Sequence, residues 1–185
     1  MYTVAVIIGS LRKDSINLKL VNALNQLNHP KLTFNLLNIS DIPLYNQDNE
    51  ANLPAAVANL KASIEKADAV LIATPEYNRS IPGVLKNVLD WGSRPYGKNS
   101  FTGKPSAIIG ASPGNVGTAA AQAHLRSILI TLGTVLLGQP EVYFTHKDDL
   151  MDANHQFTNA DTAKFLQGFL DTFTRWIETH QTLNV

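Results

Sequence analysis

The chain has 185 residues, of which 44% are hydrophobic and 16% are charged, a composition typical of a globular chain that forms one domain. Its 15 basic residues balance 15 acidic ones, so the charge gives no support for binding to nucleic acid or to an anionic membrane. Cysteine is absent, which excludes disulfides, thiolate metal sites and a cysteine nucleophile.

Short apolar runs alternate with amphipathic segments along the chain. The runs predict buried strands, at residues 3–8, 32–37, 69–73, 106–109 and 134–137. The amphipathic segments predict helices, at residues 15–27, from Leu53 onward, and at 82–91, 118–132 and 159–182. Strands separated by helices form a parallel sheet that is covered on both faces. The predicted fold class is therefore α/β, a flavodoxin-like five-stranded parallel sheet in the order 2-1-3-4-5.

The N-terminal run lacks a basic flank and a small-residue cleavage pattern, so it is not typical of a signal peptide. No apolar run approaches the roughly 18 residues of a membrane span. We therefore expect a cytoplasmic protein that does not associate with a membrane.

Residues 9–17, after the first strand, carry small hydroxyl side chains and an arginine ahead of a helix. Free N–H groups and the helix dipole favour an anion there, and Ser10, Arg12, Ser15 and Asn17 are candidate donors to a phosphate. Neither a G-x-G-x-x-G fingerprint nor a G-K-[ST] sequence is present, so a single phosphate, as in a mononucleotide, fits best. The alternative is that Asp14 or Ser15 only caps the helix and that Arg12 is solvated.

Residues 74–83, after the third strand, combine two prolines with polar side chains. The prolines stiffen the backbone around Glu76, Tyr77 and Asn78, so its N–H and C=O groups are held in fixed positions. This suits hydrogen bonding to a planar heterocycle, with Tyr77 packed near it. The alternative is a structural turn in which Tyr77 covers the core.

Residues 110–118, after the fourth strand, contain three glycines, which let a flat ligand approach the backbone closely. The alternative is a plain connection that needs positive φ angles. Because ligands bind at the carboxyl ends of parallel strands, we expect the three loops to line one site.

The motifs in these loops resemble those of the NAD(P)H-dependent FMN reductase family, which includes bacterial quinone and chromate reductases. The first is G-S-x-R-x-x-S-x-N over residues 9–17, and the second is P-E-Y-N-x-S-x-P-G-x-L-K-N-x-x-D-W over residues 75–91. The third is S-x-G-x-x-G over residues 112–117, followed by Leu125-Arg126 in the next helix. Residues 118–120 depart from the family, whose members often have a second glycine and an arginine there. This departure leaves open which nicotinamide donor and which acceptor the protein prefers.

The resemblance implies one flavodoxin-like, FMN-binding domain over residues 1–185, with the FMN held non-covalently. It also implies a homodimer or a dimer of dimers, to which helix 82–91 contributes a contact. By the same resemblance, the cofactor-binding residues are Ser10, Arg12, Ser15 and Asn17 around the phosphate, Pro75, Glu76, Tyr77 and Asn78 along the isoalloxazine ring, and Ser112 and Gly114 on its other side.

The implied function is an oxidoreductase that passes a hydride from NAD(P)H through FMN to a quinone or a similar small acceptor. The cofactor carries this chemistry, so no catalytic base is expected. No metal is expected either, because the five histidines have no metal-ligand spacing and an acidic turn at residues 148–152 is more typical of a solvated loop. The alternatives are an electron carrier, a non-enzymatic flavin-binding protein and, among enzymes, an azo-, nitro- or flavin reductase.

Overall fold

A parallel sheet forms the centre of the molecule in the computed structural model, which describes residues 1–181. Its strands are β1 (Tyr2–Ile8), β2 (Leu32–Leu36), β3 (Ala69–Ala73), β4 (Pro105–Ser112), β5 (Val135–Leu136) and β6 (Val142–Thr145). The helices are α1 (Ile16–Gln26), α2 (Ala55–Lys66), α3 (Gly83–Gly92), α4 (Ala119–Thr131) and α5 (Ala160–Gln181). The strands follow the order β2-β1-β3-β4-β5, all parallel, so the predicted flavodoxin-like order is confirmed. The predicted end of the last helix, Thr182, lies outside the described residues.

Helices cover both faces of this sheet. Val4 and Val6 of β1 belong to a core shared with α1 and α5, whereas Ala5 and Ile7 belong to a core shared with α2, α3 and α4. Successive side chains of a strand point to opposite faces, so a strand buried on both faces is apolar throughout. None of the helices described between residues 1 and 181 has the apolar length that a membrane-spanning helix needs.

The sheet edge beside β4 differs from the prediction. β5 pairs only with Pro105 and Ser106 at the start of β4, whereas β6 pairs in parallel with residues 109–112. The predicted strand 134–137 therefore accounts for one part of this edge, and the described sheet has six strands. Between the two strands the chain passes Pro140, which has no N–H to donate to a ladder. β6 then brings His146 to the end of β4, where its N–H donates to the carbonyl of Ser112 at 2.8 Å.

Candidate functional site

The three loops meet in one cleft at the carboxyl edge of the sheet, as predicted. Eight of the ten residues expected to bind a cofactor line it, namely Ser10, Arg12, Ser15, Asn17, Pro75, Glu76, Tyr77 and Ser112. Asn78 and Gly114 do not line the cleft. The sequence reasoning missed Ile16, Ala111 and Pro113, which complete the lining. Ala111 and Pro113 flank Ser112, so their position next to a predicted site residue could have identified them. Ile16 has no such signal, because the helical periodicity assigns it to the apolar face of a helix.

Ser10 and Ser15 shape the first loop around the start of α1. The Ser15 hydroxyl accepts a hydrogen bond from the N–H of Leu18 at 3.3 Å, which makes Ser15 the N-cap. The Ser10 hydroxyl accepts one from the N–H of Arg12, also at 3.3 Å. A hydroxyl that accepts a bond still has its own hydrogen to donate. The capping role predicted as an alternative is therefore present, and it is compatible with contact to an anion.

Arg12 is the unpaired cation of this loop that lines the cleft. Its neighbour Asp14 is paired with Lys19 at 2.5 Å. The hydrogen bond from Lys19 and the charge of Lys19 lower the pKa of Asp14. Within residues 1–181, the Arg12 side chain has neither an ion pair nor a hydrogen bond. Its guanidinium, exposed and lining the cleft, is free to receive a phosphate bidentately.

Asn17 joins the first loop to the third. Its side chain is buried, and its Nδ2 donates to the carbonyl of Ala111 at 3.0 Å while its Oδ1 accepts from the N–H of Ala111 at 2.9 Å. The carboxamide oxygen and one amide hydrogen are therefore used within the fold. The remaining hydrogen of Nδ2 is the donor that Asn17 has left for a ligand.

The second loop contains a tight hairpin turn. The N–H of Tyr77 donates to the carbonyl of Ser80, and the N–H of Ser80 donates to the carbonyl of Tyr77, each at 3.0 Å. Asn78 and Arg79 between them have φ values of 52° and 63°, as a type I′ turn requires at both central positions. Tyr77 at the base of this turn is 49% exposed, so its ring is accessible to a ligand in the cleft.

α4 anchors this turn at both ends. The carboxylate of Glu76 accepts from the N–H of Ala121 in the first turn of α4 at 3.1 Å. On the other side, Nδ1 of His124 lies 3.1 Å from the hydroxyl of Ser80. Glu76 and His124 thus couple the position of Tyr77 to the start of α4. The Glu76 side chain is only 12% exposed, and its carboxylate also forms an ion pair with the guanidinium of Arg79 at 3.6 Å.

The third loop folds closely onto its neighbours. The Ser112 hydroxyl donates to the carbonyl of Gly117 at 2.6 Å. Gly117 has a φ of 60°, and a Cβ there would lie 2.9 Å from the Tyr143 backbone. At Gly110 a Cβ would lie 1.9 Å from Oγ1 of Thr118, so only glycine fits. Gly110 and Gly117 therefore serve the packing and the positive φ angle of the loop. This is the alternative given above for this segment, a connection that needs glycine for its own structure.

The donor set of the cleft suits an organic phosphate with an aromatic group. A helix N-terminus, an unpaired guanidinium and two hydroxyls lie at one end, and an accessible tyrosine lies at the other. No group of three histidine, cysteine, aspartate or glutamate side chains that could hold a metal ion occurs in the described part of the chain.

Comparison with known proteins connects this cleft to a family. Residues 2–149 match the family model described as NADPH-dependent FMN reductase. A 2-hydroxy-1,4-benzoquinone reductase from a Burkholderia species is 48% identical over 174 residues, which are 94% of this chain and 95% of that protein.

Two solved structures are also similar to this chain. FerB, a flavoenzyme NAD(P)H:(acceptor) oxidoreductase from Paracoccus denitrificans, is similar with a TM-score of 0.94 at 52% identity, over 97% of this chain and 99% of that chain. A flavodoxin, WrbA-like protein from Agrobacterium tumefaciens has a TM-score of 0.60 at 13% identity, over 97% of this chain and 99% of its own. The second likeness concerns the fold alone.

Proposed function

The chain belongs to the NADPH-dependent FMN reductase family, and we propose that it is an FMN-dependent oxidoreductase that uses NAD(P)H to reduce a quinone or a similar small acceptor. The observation that carries this proposal is the family match over residues 2–149, which contains all three loops of the cleft. Bound FMN supplies the redox chemistry, in which NAD(P)H, a proton and a quinone become NAD(P)⁺ and a hydroquinone.

Arg12, Ser10 and Ser15 would hold the FMN phosphate. The guanidinium supplies the charge that neutralises the phosphate, and the two hydroxyls and the N-terminus of α1 supply further donors. Asn17 would act mainly through Ala111, by keeping the first and third loops together, with one amide hydrogen left for the phosphate.

The isoalloxazine ring would lie against the second and third loops. The resemblance assigns Pro75, Glu76, Tyr77 and Asn78 to the ring. The N–H and C=O of Tyr77 are paired with Ser80 and the Glu76 carboxylate is bonded to α4, so the main-chain groups of Glu76 and Asn78 are the ones proposed to bind the polar edge of the ring, with the Tyr77 side chain packed near it. The resemblance to the family puts Ser112 and Gly114 on the other side of the ring, and we keep that assignment as part of the proposal. The protein then needs no acid or base of its own, since it binds the ring and leaves one face open to donor and acceptor.

The proposed assembly is the one that the family resemblance implies, and the proposed location is the one expected from the sequence. We expect one FMN-binding domain over residues 1–185 in a cytoplasmic homodimer or dimer of dimers. In α3, Leu85 and Val88 are fully buried in the core of the chain itself, so they are not available for a subunit contact. Leu44 and Tyr96, near the C-terminal end of α3, are 85% and 92% exposed and are better candidates.

Purified protein with added FMN tests the function directly. The visible spectrum should change on FMN binding, and oxidation of NADPH or NADH, followed by absorbance, should depend on added benzoquinone. The ratio of the two rates gives the donor preference. FMN binding without quinone-dependent oxidation would instead support an electron carrier or a flavin-binding protein, and absence of FMN binding would refute the proposal.

A further inference from the structure

A second groove adjoins the candidate FMN cleft. The two have Ser10, Arg12 and Ser15 in common among their lining residues, so the groove, like the cleft, borders the first loop. Its far wall is formed by the end of β2 and the turn after it. The residues that matter for its chemistry are Leu11, Leu18, Leu36, Ile39, Asn38 and Ser40.

The walls of this groove are apolar and accessible to solvent. Leu11 is 57% exposed and Leu36 is 44% exposed, and both are lining residues. Leu18 and Ile39 contribute further apolar surface below them. A flat apolar group inserted here would remove the leucine side chains from water, which is favourable in proportion to the area covered.

The polar groups of the groove are arranged asymmetrically. Arg12 provides an unpaired positive charge at the inner end, next to the proposed phosphate position. At the outer rim, Oδ1 of Asn38 accepts from the N–H and hydroxyl of Ser40, at 3.0 and 2.7 Å, and Nδ2 of Asn38 donates to Asp41 at 3.0 Å. Asp41 thus places a negative charge beside the rim. A ligand with phosphate at the inner end and an uncharged outer end matches this distribution.

We propose that this groove takes the adenosine half of FAD, so that the protein binds FAD as well as FMN. The inference rests on the proposed function, because it assumes that the flavin phosphate lies at the first loop. FAD is FMN extended from that phosphate by AMP, so its second phosphate falls beside Arg12 and its adenosine enters the adjoining groove. Asp41 disfavours a phosphorylated ribose at the rim, which selects FAD over the adenosine 2′-phosphate end of NADPH.

Calorimetric titration of the full-length, flavin-free protein with FAD and with FMN tests the inference. FAD is expected to bind at least as tightly as FMN. Leu36→Asn, which removes an apolar wall, should weaken FAD binding about tenfold and leave FMN binding within about twofold. Ser40→Trp, which narrows the rim, should have the same selective effect and provides a second variant if the first folds poorly. Ile130→Asn on α4, a 66% exposed position outside both clefts, is the matched control.

The outcomes separate the inference from the proposed function. Weaker binding of FAD than of FMN by the wild type, or FAD affinity unchanged in both variants, would overturn the inference and leave the FMN assignment intact. If the variants instead raised the NADPH concentration needed for turnover while FAD affinity stayed constant, the groove would belong to the pyridine nucleotide and the inference would again be wrong. Failure of the wild type to bind either flavin would overturn both proposals.

Discussion

At the scale of single residues, the cleft divides its polar side chains between ligand and fold. Arg12 has no partner within residues 1–181, whereas Asn17 uses its Oδ1 and one amide hydrogen on Ala111. Both residues belong to the same sequence motif, and both were predicted as phosphate donors. Substitution of Arg12 should therefore change the affinity for FMN, whereas substitution of Asn17 should change the stability of the flavin-free protein.

Arg12→Ala is expected to weaken FMN binding roughly 10- to 100-fold, the effect of losing a charge-assisted bidentate contact to a phosphate. The dissociation constant can be measured by titration of flavin-free protein. The variant should unfold at nearly the same denaturant concentration as the wild type, because the exposed side chain makes no hydrogen bond or ion pair within residues 1–181. Arg175→Ala on α5 is a control for the loss of an exposed guanidinium. Unchanged FMN affinity in Arg12→Ala would mean that the phosphate lies elsewhere.

Asn17→Ala is expected to lower the free energy of unfolding of the flavin-free protein by about 2–3 kcal/mol. The reason is that the buried N–H and C=O of Ala111 lose their partner, and an unsatisfied buried polar group carries its full desolvation cost. Urea denaturation measures the change, and Asn115→Ala in the exposed part of the third loop is the control. If stability did not change while FMN affinity fell, Asn17 would be a direct ligand of the phosphate rather than a link between loops.

At the scale of secondary-structure elements, the turn over residues 77–80 is the part of the site with an unusual backbone. Asparagine tolerates a positive φ, but arginine at position 79 adopts it at a cost of about 1–2 kcal/mol relative to glycine. The contacts of Glu76 with Ala121 and of His124 with Ser80 hold the turn in place despite that cost.

Substitutions at position 79 therefore test the turn itself. Arg79→Gly should keep or raise the stability of the flavin-free protein, because glycine has no Cβ to oppose the positive φ. Arg79→Val should be less stable than Arg79→Gly by about 1–2 kcal/mol, since a β-branched side chain is least compatible with this conformation. The two variants lack the same charge, so their difference in urea denaturation reports the backbone. Equal stabilities would indicate that the turn is not type I′ in solution.

The sequence predicted the order of the strands and the meeting of the loops better than it predicted their detailed contacts. Five apolar runs and the helices between them were enough for the sheet, because parallel strands buried on both faces have a strong local pattern. β6 was missed although Val142, Tyr143, Phe144 and Thr145 have high β propensity, because Pro140 separates them from β5. The capping of α4 by Glu76 links positions 45 residues apart and leaves no local pattern.

At the scale of the whole molecule, one buried lysine connects three parts of the fold. Nζ of Lys61 on α2 donates to the carbonyl of Gly92 at the end of α3, to the carbonyl of Lys98 and to the hydroxyl of Ser100, at 3.0, 2.6 and 2.9 Å. The Ser100 hydroxyl in turn donates to Glu65. This ammonium therefore fixes the segment between α3 and β4 to α2, and the side chain is only 7% exposed.

Lys61→Met is expected to lower the free energy of unfolding by roughly 2–4 kcal/mol near neutral pH, because the Lys98 carbonyl and the Ser100 hydroxyl lose the donor Nζ, whereas the Gly92 carbonyl keeps the N–H of Ser100. The cost should also depend on pH. Burial lowers the pKa of Lys61 below 10.5, the ordinary value for a lysine, so between the folded pKa and 10.5 the unfolded chain carries a proton that the folded chain lacks. Unfolding then takes up a proton, and the stability of the wild type relative to Lys61→Met rises as the pH increases through that window.

Urea denaturation of wild type and Lys61→Met across alkaline pH measures this slope. The difference between the two proteins removes the contribution of groups common to both, including Tyr45 and Tyr143, whose pKa values are raised. Lys104 gives a second case, because burial lowers its pKa too and its Nζ donates to the carbonyls of Glu65 and Ala67. Lys104→Met should show a slope of the same sign. The opposite slope at Lys61 would mean that its three oxygen partners stabilise the ammonium by more than burial destabilises it.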